Sequence, residues 1–289
     1  MTAPPRGRLR TVMPWLLTAL VLVEVVMPLA MVLGRNRLLF FPFDDPAPET
    51  RMDAFRGMDA KVVRVARSDG RKLAAYDVAP MRLPADAPVV LFLHGNAGNI
   101  GGRAEVAAYF ASLAHVRVLM LDYSGYGGND GSPTEDEINA DSLAAFDHLV
   151  AAGVPASRIC LYGESIGGAP ALYVATQRPA AGVAVQSTLS SLPSVALKKF
   201  PWMPLAALLV RGSFPSAERI ATLDMPVLVV HGRRDMIVPF GEGERLAAAA
   251  KPHAEFLVID AADHNDLLDV AGDEYLRGLG ERFRKWAAR

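Results

Sequence analysis

From Val12 to Leu33 the chain is apolar apart from Thr18 and Glu24, whereas beyond it short apolar runs alternate with stretches of helical periodicity. At about 1.5 Å rise, the roughly 22 residues of the first stretch make about 33 Å of helix, enough to span a bilayer core. The pattern predicts a transmembrane anchor over 12–33, preceded by a basic tail over 1–11. Glu24 costs insertion free energy, which the surrounding apolar residues outweigh. A cleaved signal peptide is the rival reading, but Pro28 to Gly34 offers no small-x-small cleavage site. Arg6, Arg8 and Arg10 lie before the segment, Arg35 and Arg37 just after it, and Arg51 farther on. That slight bias favours a tail left inside and a remainder exported across a bacterial inner membrane, into the periplasm.

Residues 34–58, with Phe40-Phe41-Pro42-Phe43 and Pro46 to Pro48, read as a Pro-rich linker. Residues 59–289 are long enough to bury one large core. Val62 to Ala66 and Leu73 to Val78, joined across Ser68-Asp69-Gly70, predict an antiparallel hairpin. Strands are then expected near 89–93, 116–121, 158–162, 182–186, 226–231 and 255–259, with helices between them. Such alternation predicts an α/β fold, a mostly parallel central sheet flanked by helices on both faces. Ser132-Pro133-Thr134-Glu135 reads as a capping box with Pro133 at the first helical position, opening a helix to about Ala152. The longest insertion, about 189–223, is expected to be a short apolar lid. Its Phe200, Trp202 and Met203 either meet an acyl chain or pack on the core, and both readings stay open.

Composition narrows the function classes. With 30 basic and 31 acidic residues the chain has no electrostatic footprint for nucleic acid. The single cysteine, Cys160, sits in an apolar strand and excludes an internal disulfide. No metal-ligand spacing or phosphate loop is present, so neither a metal nor another cofactor is implied. Oligomeric state is not written in the residues.

The candidate chemistry lies at the ends of the expected strands. Gly163-Glu164-Ser165-Ile166-Gly167 stands between a strand and an Ala-rich helix, which is the context of a nucleophile elbow. The sharp strand-to-helix turn strains the serine backbone, and Gly163 and Gly167 are needed where a Cβ would clash. After strand 89–93 comes the small-residue loop His94-Gly95-Asn96-Ala97-Gly98-Asn99, able to aim backbone N–H groups at an oxyanion. Asn96 is the expected donor there, paired with Ile166 after the nucleophile. Asp235 follows strand 226–231, and His264 follows strand 255–259. Asp122, Asp260 and Asp263 compete as the acid. Among the other histidines, His94 and His231 read as structural strand-end residues, while His115, His148 and His253 fall on or near helix surfaces. The chain order Ser165, Asp235, His264 is that of the α/β-hydrolase triad.

The run Phe92 to Asn99, Leu121-Asp122-Tyr123-Ser124-Gly125-Tyr126-Gly127, the elbow, His231 to Asp235, and Asp263-His264 together resemble one family. It is that of the membrane-anchored α/β-hydrolases related to fungal bud-emergence proteins. The eukaryotic depalmitoylating and lysophospholipid-cleaving α/β-hydrolase-domain proteins are similar, and the likeness covers about residues 35 to 285. One departure is Gln186-Ser187, where relatives tend to have Glu-Ser. The resemblance implies an α/β-hydrolase fold and a lipid-like or acylated substrate. The expected function is a serine hydrolase cleaving a carboxylic ester or thioester of a small-molecule or lipid-like acyl substrate. A peptidase of the same fold and a membrane-tethered, non-catalytic binding protein are the alternatives.

Overall fold

The computed structural model describes residues 6–43, 46–250, 252 and 254–289, with side chains from residue 13 onward. His253 lies outside the described residues, as do all side chains of the basic tail. Three N-terminal helices, α1 (Arg6–Val21), α2 (Met27–Leu33) and α3 (Arg35–Leu39), precede the hairpin β1 (Met58–Ala66) and β2 (Lys72–Pro80). There follow β3 (Val89–Leu93), α4 (Ala104–Ala114), β4 (Arg117–Leu121), α5 (Glu135–Ala151), β5 (Ile159–Glu164), α6 (Gly168–Gln177) and β6 (Gly182–Gln186). The insertion then forms α7 (Leu192–Lys199), α8 (Pro204–Leu209) and α9 (Ser216–Ala221), before β7 (Val227–Gly232), α10 (Gly241–Ala249), β8 (Glu255–Ile259) and α11 (Leu267–Ala287).

Eight strands make one sheet in the order β1-β2-β4-β3-β5-β6-β7-β8. β2 runs antiparallel to both β1 and β4, and every other neighbouring pair is parallel. The central strands β3 and β6 are buried along their whole length, as parallel strands covered on both faces must be. One core holds side chains of α5, α6 and α10, the other those of α4 and α11. Cys160 lies fully buried between β5 and α11, where burial pushes its thiol up and keeps it a small core residue.

Two expectations shift. The helix after residue 132 begins two residues late: Thr134, not Ser132, is its N-cap, and its hydroxyl accepts from Glu137 N–H at 3.1 Å. The working cap is therefore the Thr134 hydroxyl, while the Glu137 carboxylate is taken by Arg67 and Arg71. Glu135 has another task, accepting the Phe214 N–H at 3.0 and 2.9 Å from the lid. The stretch expected as a linker also carries structure. It contains α3 and a 3₁₀ segment, Pro48–Phe55, and buries Phe40 and Phe55. Phe40 faces Phe214 at 6.5 Å and Phe55 meets Tyr76 edge-on at 4.8 Å, so aromatic burial decides where proline content suggested a spacer.

Met13–Leu33, 21 residues, is long and apolar enough to cross a membrane. A single π-turn, Leu22–Val26, interrupts it and contains Glu24. Most of its side chains are exposed, but Pro28 is buried, and α2 packs against α8 of the lid. Within the lid Met203 and Phe214 are buried while Trp202, Leu208 and Leu209 stay exposed, so one face packs on the core and the other is left apolar and open.

Candidate active site

Ser165 sits just past β5, Asp235 just past β7 and His264 on the loop after β8, so all three stand at the carboxyl edge of the sheet. Ser165 has φ 55°, in the left-handed region where a non-glycine residue is strained. The neighbouring glycines allow this turn. A Cβ at Gly163 would stand 2.4 Å from the Gly168 Cα, and one at Gly167 2.2 Å from the Leu93 carbonyl oxygen. The elbow is thus pressed against the end of β3, and no larger residue fits at either position.

The structure brings the three expected side chains together. His264 Nε2 lies 2.9 Å from Ser165 Oγ, and His264 Nδ1 lies 2.7 Å from Asp235 Oδ2. The other carboxylate oxygen, Asp235 Oδ1, accepts the N–H groups of Ile237 at 2.9 Å and Val238 at 2.7 Å. Burial alone would raise the Asp235 carboxyl, but bonds from His231 and His264, the His264 charge and the Val238 N–H hold it well below the usual carboxylate range. A permanently ionised Asp235 favours the imidazole form with hydrogen on Nδ1, leaving Nε2 free to accept from Ser165.

The competing residues have other partners. Asp263 Oδ1 accepts the Met236 and His264 N–H groups at 2.9 and 2.7 Å, which fixes the loop and not the ring. Asp260 is exposed and pairs with Arg233, and Asp122 is buried beside His94 at 3.3 Å. His231 Nε2 donates to the Val238 carbonyl at 2.9 Å and stands 3.4 Å from Asp235. His115 caps α4 and His148 lies in the last turn of α5.

Asn96 and Ile166 stand on opposite sides of the nucleophile in the chain, and the Asn96 loop is heavily braced. A Cβ built on Gly95 would meet the Ser165 Cβ at 3.4 Å, so this loop runs directly past the serine. Tyr123 donates to the His94 carbonyl at 2.9 Å and Tyr126 to the Asn96 carbonyl at 2.7 Å. Burial raises both phenols, which keeps them protonated donors. Arg103 donates to the Ala97 carbonyl at 2.7 Å. From the N-terminal side, Phe41 N–H donates to the Asn96 carbonyl at 2.8 Å, and Asn96 Nδ2 donates to the Leu39 carbonyl at 2.9 Å. With these carbonyls committed, the peptide planes of residues 94–97 are fixed.

A profile of the α/β hydrolase fold matches residues 88–206. An uncharacterized protein of Mycobacterium tuberculosis is 40% identical over 238 residues, 81% of this chain and 83% of that one. The alpha/beta hydrolase domain-containing protein aho-3 of Caenorhabditis elegans is 31% identical over 246 residues, 84% of this chain and 71% of that one. The chain belongs to the α/β-hydrolase family. Its fold also matches that of an esterase from Pyrococcus furiosus, with a TM-score of 0.65 at 21% identity, covering 86% of this chain and 98% of that one.

For an α/β-hydrolase, the parts that sequence reasoning missed are supports. The Tyr123 and Tyr126 roles were hidden inside a quoted motif whose spacing gave no partner. Glu242 on α10 carried no signal at all, yet it is fully buried and accepts from Ser190 N–H at 3.1 Å, Ser190 Oγ at 2.5 Å and Ser194 Oγ at 2.8 Å. It ties the start of the lid to the main domain. Gln186, the departure from the family pattern, accepts the hydroxyls of Tyr162 at 2.6 Å and Tyr275 at 2.8 Å, remote in role from the Ser165 contacts. Among the lid candidates Phe200 is half-buried with Trp202 edge-on at 6.2 Å, and Met203 faces the interior. The described residues contain no cluster of His, Cys, Asp and Glu able to hold a metal ion.

Proposed function

We propose that this protein is a membrane-tethered serine hydrolase that cleaves carboxylic esters or thioesters of lipid-like or acylated substrates through an acyl-enzyme. Ser165 Oγ attacks the carbonyl carbon as His264 Nε2 takes its proton, and Asp235 holds the Nδ1–H and stabilises the imidazolium that forms. The N–H groups of Ile166 and Asn96 receive the developing oxyanion. Collapse of the tetrahedral species expels the alcohol or thiol, to which His264 returns the proton. Water, activated by the same imidazole, then releases the acid and restores Ser165.

The observation that carries this reading is the unbroken contact chain from Ser165 through His264 to Asp235, at 2.9 and 2.7 Å, with the serine held in a strained backbone conformation. The segment Met13–Leu33 supports tethering. The slight excess of arginine before it favours a domain on the exported side, and protease access to that domain in spheroplasts checks the orientation.

A fluorophosphonate probe should label the purified chain, and Ser165→Ala should lose both the label and turnover of p-nitrophenyl esters. Label that persists on the alanine variant would remove Ser165 from the reaction.

A further inference from the structure

Between the end of the apolar N-terminal helix and the lid lies a cleft of about 290 Å³. Met31, Val32, Leu38 and Leu39 form one wall, and Val195 and Phe200 stand on the facing lid. Among the described residues its charged lining consists of Arg35 and Lys199, both cations. Of these, Lys199 donates to the Met236 carbonyl, while Arg35 is exposed.

We propose that this anchor–lid cleft binds one acyl chain of an anionic glycerophospholipid drawn directly from the bilayer. The inference deepens the hydrolase reading and rests on it for the fate of the chain, though not for where the chain binds. Three observations carry it. First, the cleft wall is continuous with the candidate membrane span: Met31 and Val32 belong to Met13–Leu33, and the flanking Leu29 and Leu33 are exposed. An occupant moving from the bilayer therefore meets apolar side chains at the helix end, and the lid beside it exposes Leu208 and Leu209. Second, Arg35 and Arg37 directly follow the span, where a bilayer crossed by Met13–Leu33 would place its phosphates. A mostly apolar cleft lined also by two cations suits a chain joined to an anionic headgroup. Third, Leu39 joins cleft to chemistry. Its carbonyl accepts from Asn96 Nδ2 at 2.9 Å, and the preceding residue, Gly95, runs past Ser165. On this proposal an acyl group bound at Ser165 runs past Gly95 and Asn96 toward Leu39, so a long acyl group enters the cleft and a short one does not.

The experiment uses the full chain carrying Ser165→Ala, reconstituted in phosphatidylcholine vesicles that contain phosphatidylglycerol with a diazirine near the chain end. Irradiation should attach the lipid within residues 31–39 and 192–210. Attachment confined to residues 13–30 overturns the proposal, because that is what ordinary immersion of the helix produces. Stronger suppression of the cleft adduct by an S-dodecanoyl peptide than by unlabelled phosphatidylglycerol overturns the choice of lipid as occupant. In the otherwise unaltered chain, Val195→Trp should lower the ratio of kcat/KM for dodecanoyl over butyryl p-nitrophenyl ester at least tenfold. An unchanged ratio in both Val195→Trp and Leu38→Trp, the latter at a half-exposed position that leaves packing intact, also overturns it. Since attachment needs no turnover, cleft adducts in a protein that hydrolyses no ester would sink the hydrolase reading and leave the binding site standing.

Discussion

The carboxyl edge of the sheet and the anchor–lid region are held by different physics. Around Ser165 directed bonds hold the acid and the neighbouring loop: Asp235 receives two backbone N–H groups and an imidazole, and the 94–97 carbonyls receive two phenols, a guanidinium and the Phe41 N–H. Across the anchor–lid cleft the contact is apolar, with Phe40 against Phe214 and α2 against α8, and large hydrophobic side chains remain exposed. Directed bonds fix positions to a fraction of an ångström, as acyl transfer requires. Apolar contact is tolerant of sliding, which suits a surface that must admit a flexible chain. The two regions meet at Leu39 to Phe41, whose backbone bonds reach the Asn96 loop.

The largest effect expected is at the directed end. Asp235→Asn should lower kcat by about 10⁴, because a neutral amide no longer enforces the imidazole tautomer that accepts from serine. Asp263→Asn should cost far less, since its carboxylate fixes only backbone N–H groups. Steady-state rates on one short ester compare the two. The reverse ranking would move the acid onto the His264 loop and undo the contrast between positioning and support.

Next in size is the joint between the regions. Deleting residues 1–33 should release the chain from carbonate-washed membranes, while deleting 1–58 should in addition remove Leu39 and Phe41 from the Asn96 loop. The longer deletion should therefore turn over a butyryl ester about 10- to 100-fold more slowly than the shorter one, the cost of loosening a reacting geometry. It should also melt at lower temperature, because burying a phenylalanine such as Phe40 or Phe55 stabilises by about 1.5–3 kcal/mol. Equal rates for the two deletions would show that 34–58 is the plain linker its prolines suggest.

What the sequence made legible follows the same division. The elbow, Asp235 and His264 could be found because each is a short run whose residue types answer a local backbone or chemical demand, and the alternation of strands and helices placed them at one edge. The helix cap was misread by two residues because Ser132 and Thr134 both satisfy the pattern, and only the commitment of Glu135 to the Phe214 N–H separates them. The packing of 34–58 was invisible because Phe40 and Phe55 find their partners, Phe214 and Tyr76, far along the chain. Glu242 was missed for the same reason: in an amphipathic helix a buried carboxylate reads like any solvated one.

The smallest effect expected lies where the lid is tied down, and it is read by pH. Burial would raise the Glu242 carboxyl, but the Ser190 and Ser194 hydrogen bonds and the nearby Arg245 charge outweigh it and hold the group below its usual value of 4.5. A carboxyl lowered in the folded state stabilises the fold above the unfolded-state value, about 4.3 for glutamate, and that contribution fades as pH falls through the folded value. Glu242→Gln keeps the size but sets an amide N–H₂ among groups that already donate, the Ser190 N–H and Arg245 Nη1 at 3.1 and 2.6 Å. It should therefore cost about 1–3 kcal/mol at neutral pH. Melting temperatures of the two proteins should stay separated at pH 7 and converge as pH drops below the usual carboxylate range, where Glu242 is itself protonated. A gap that persists at low pH would show that the hydrogen-bond pattern, not charge, holds the lid. No gap at pH 7 would mean that α7 is secured by its apolar contacts alone, and the lid would then belong with the anchor in the loosely held half of the molecule.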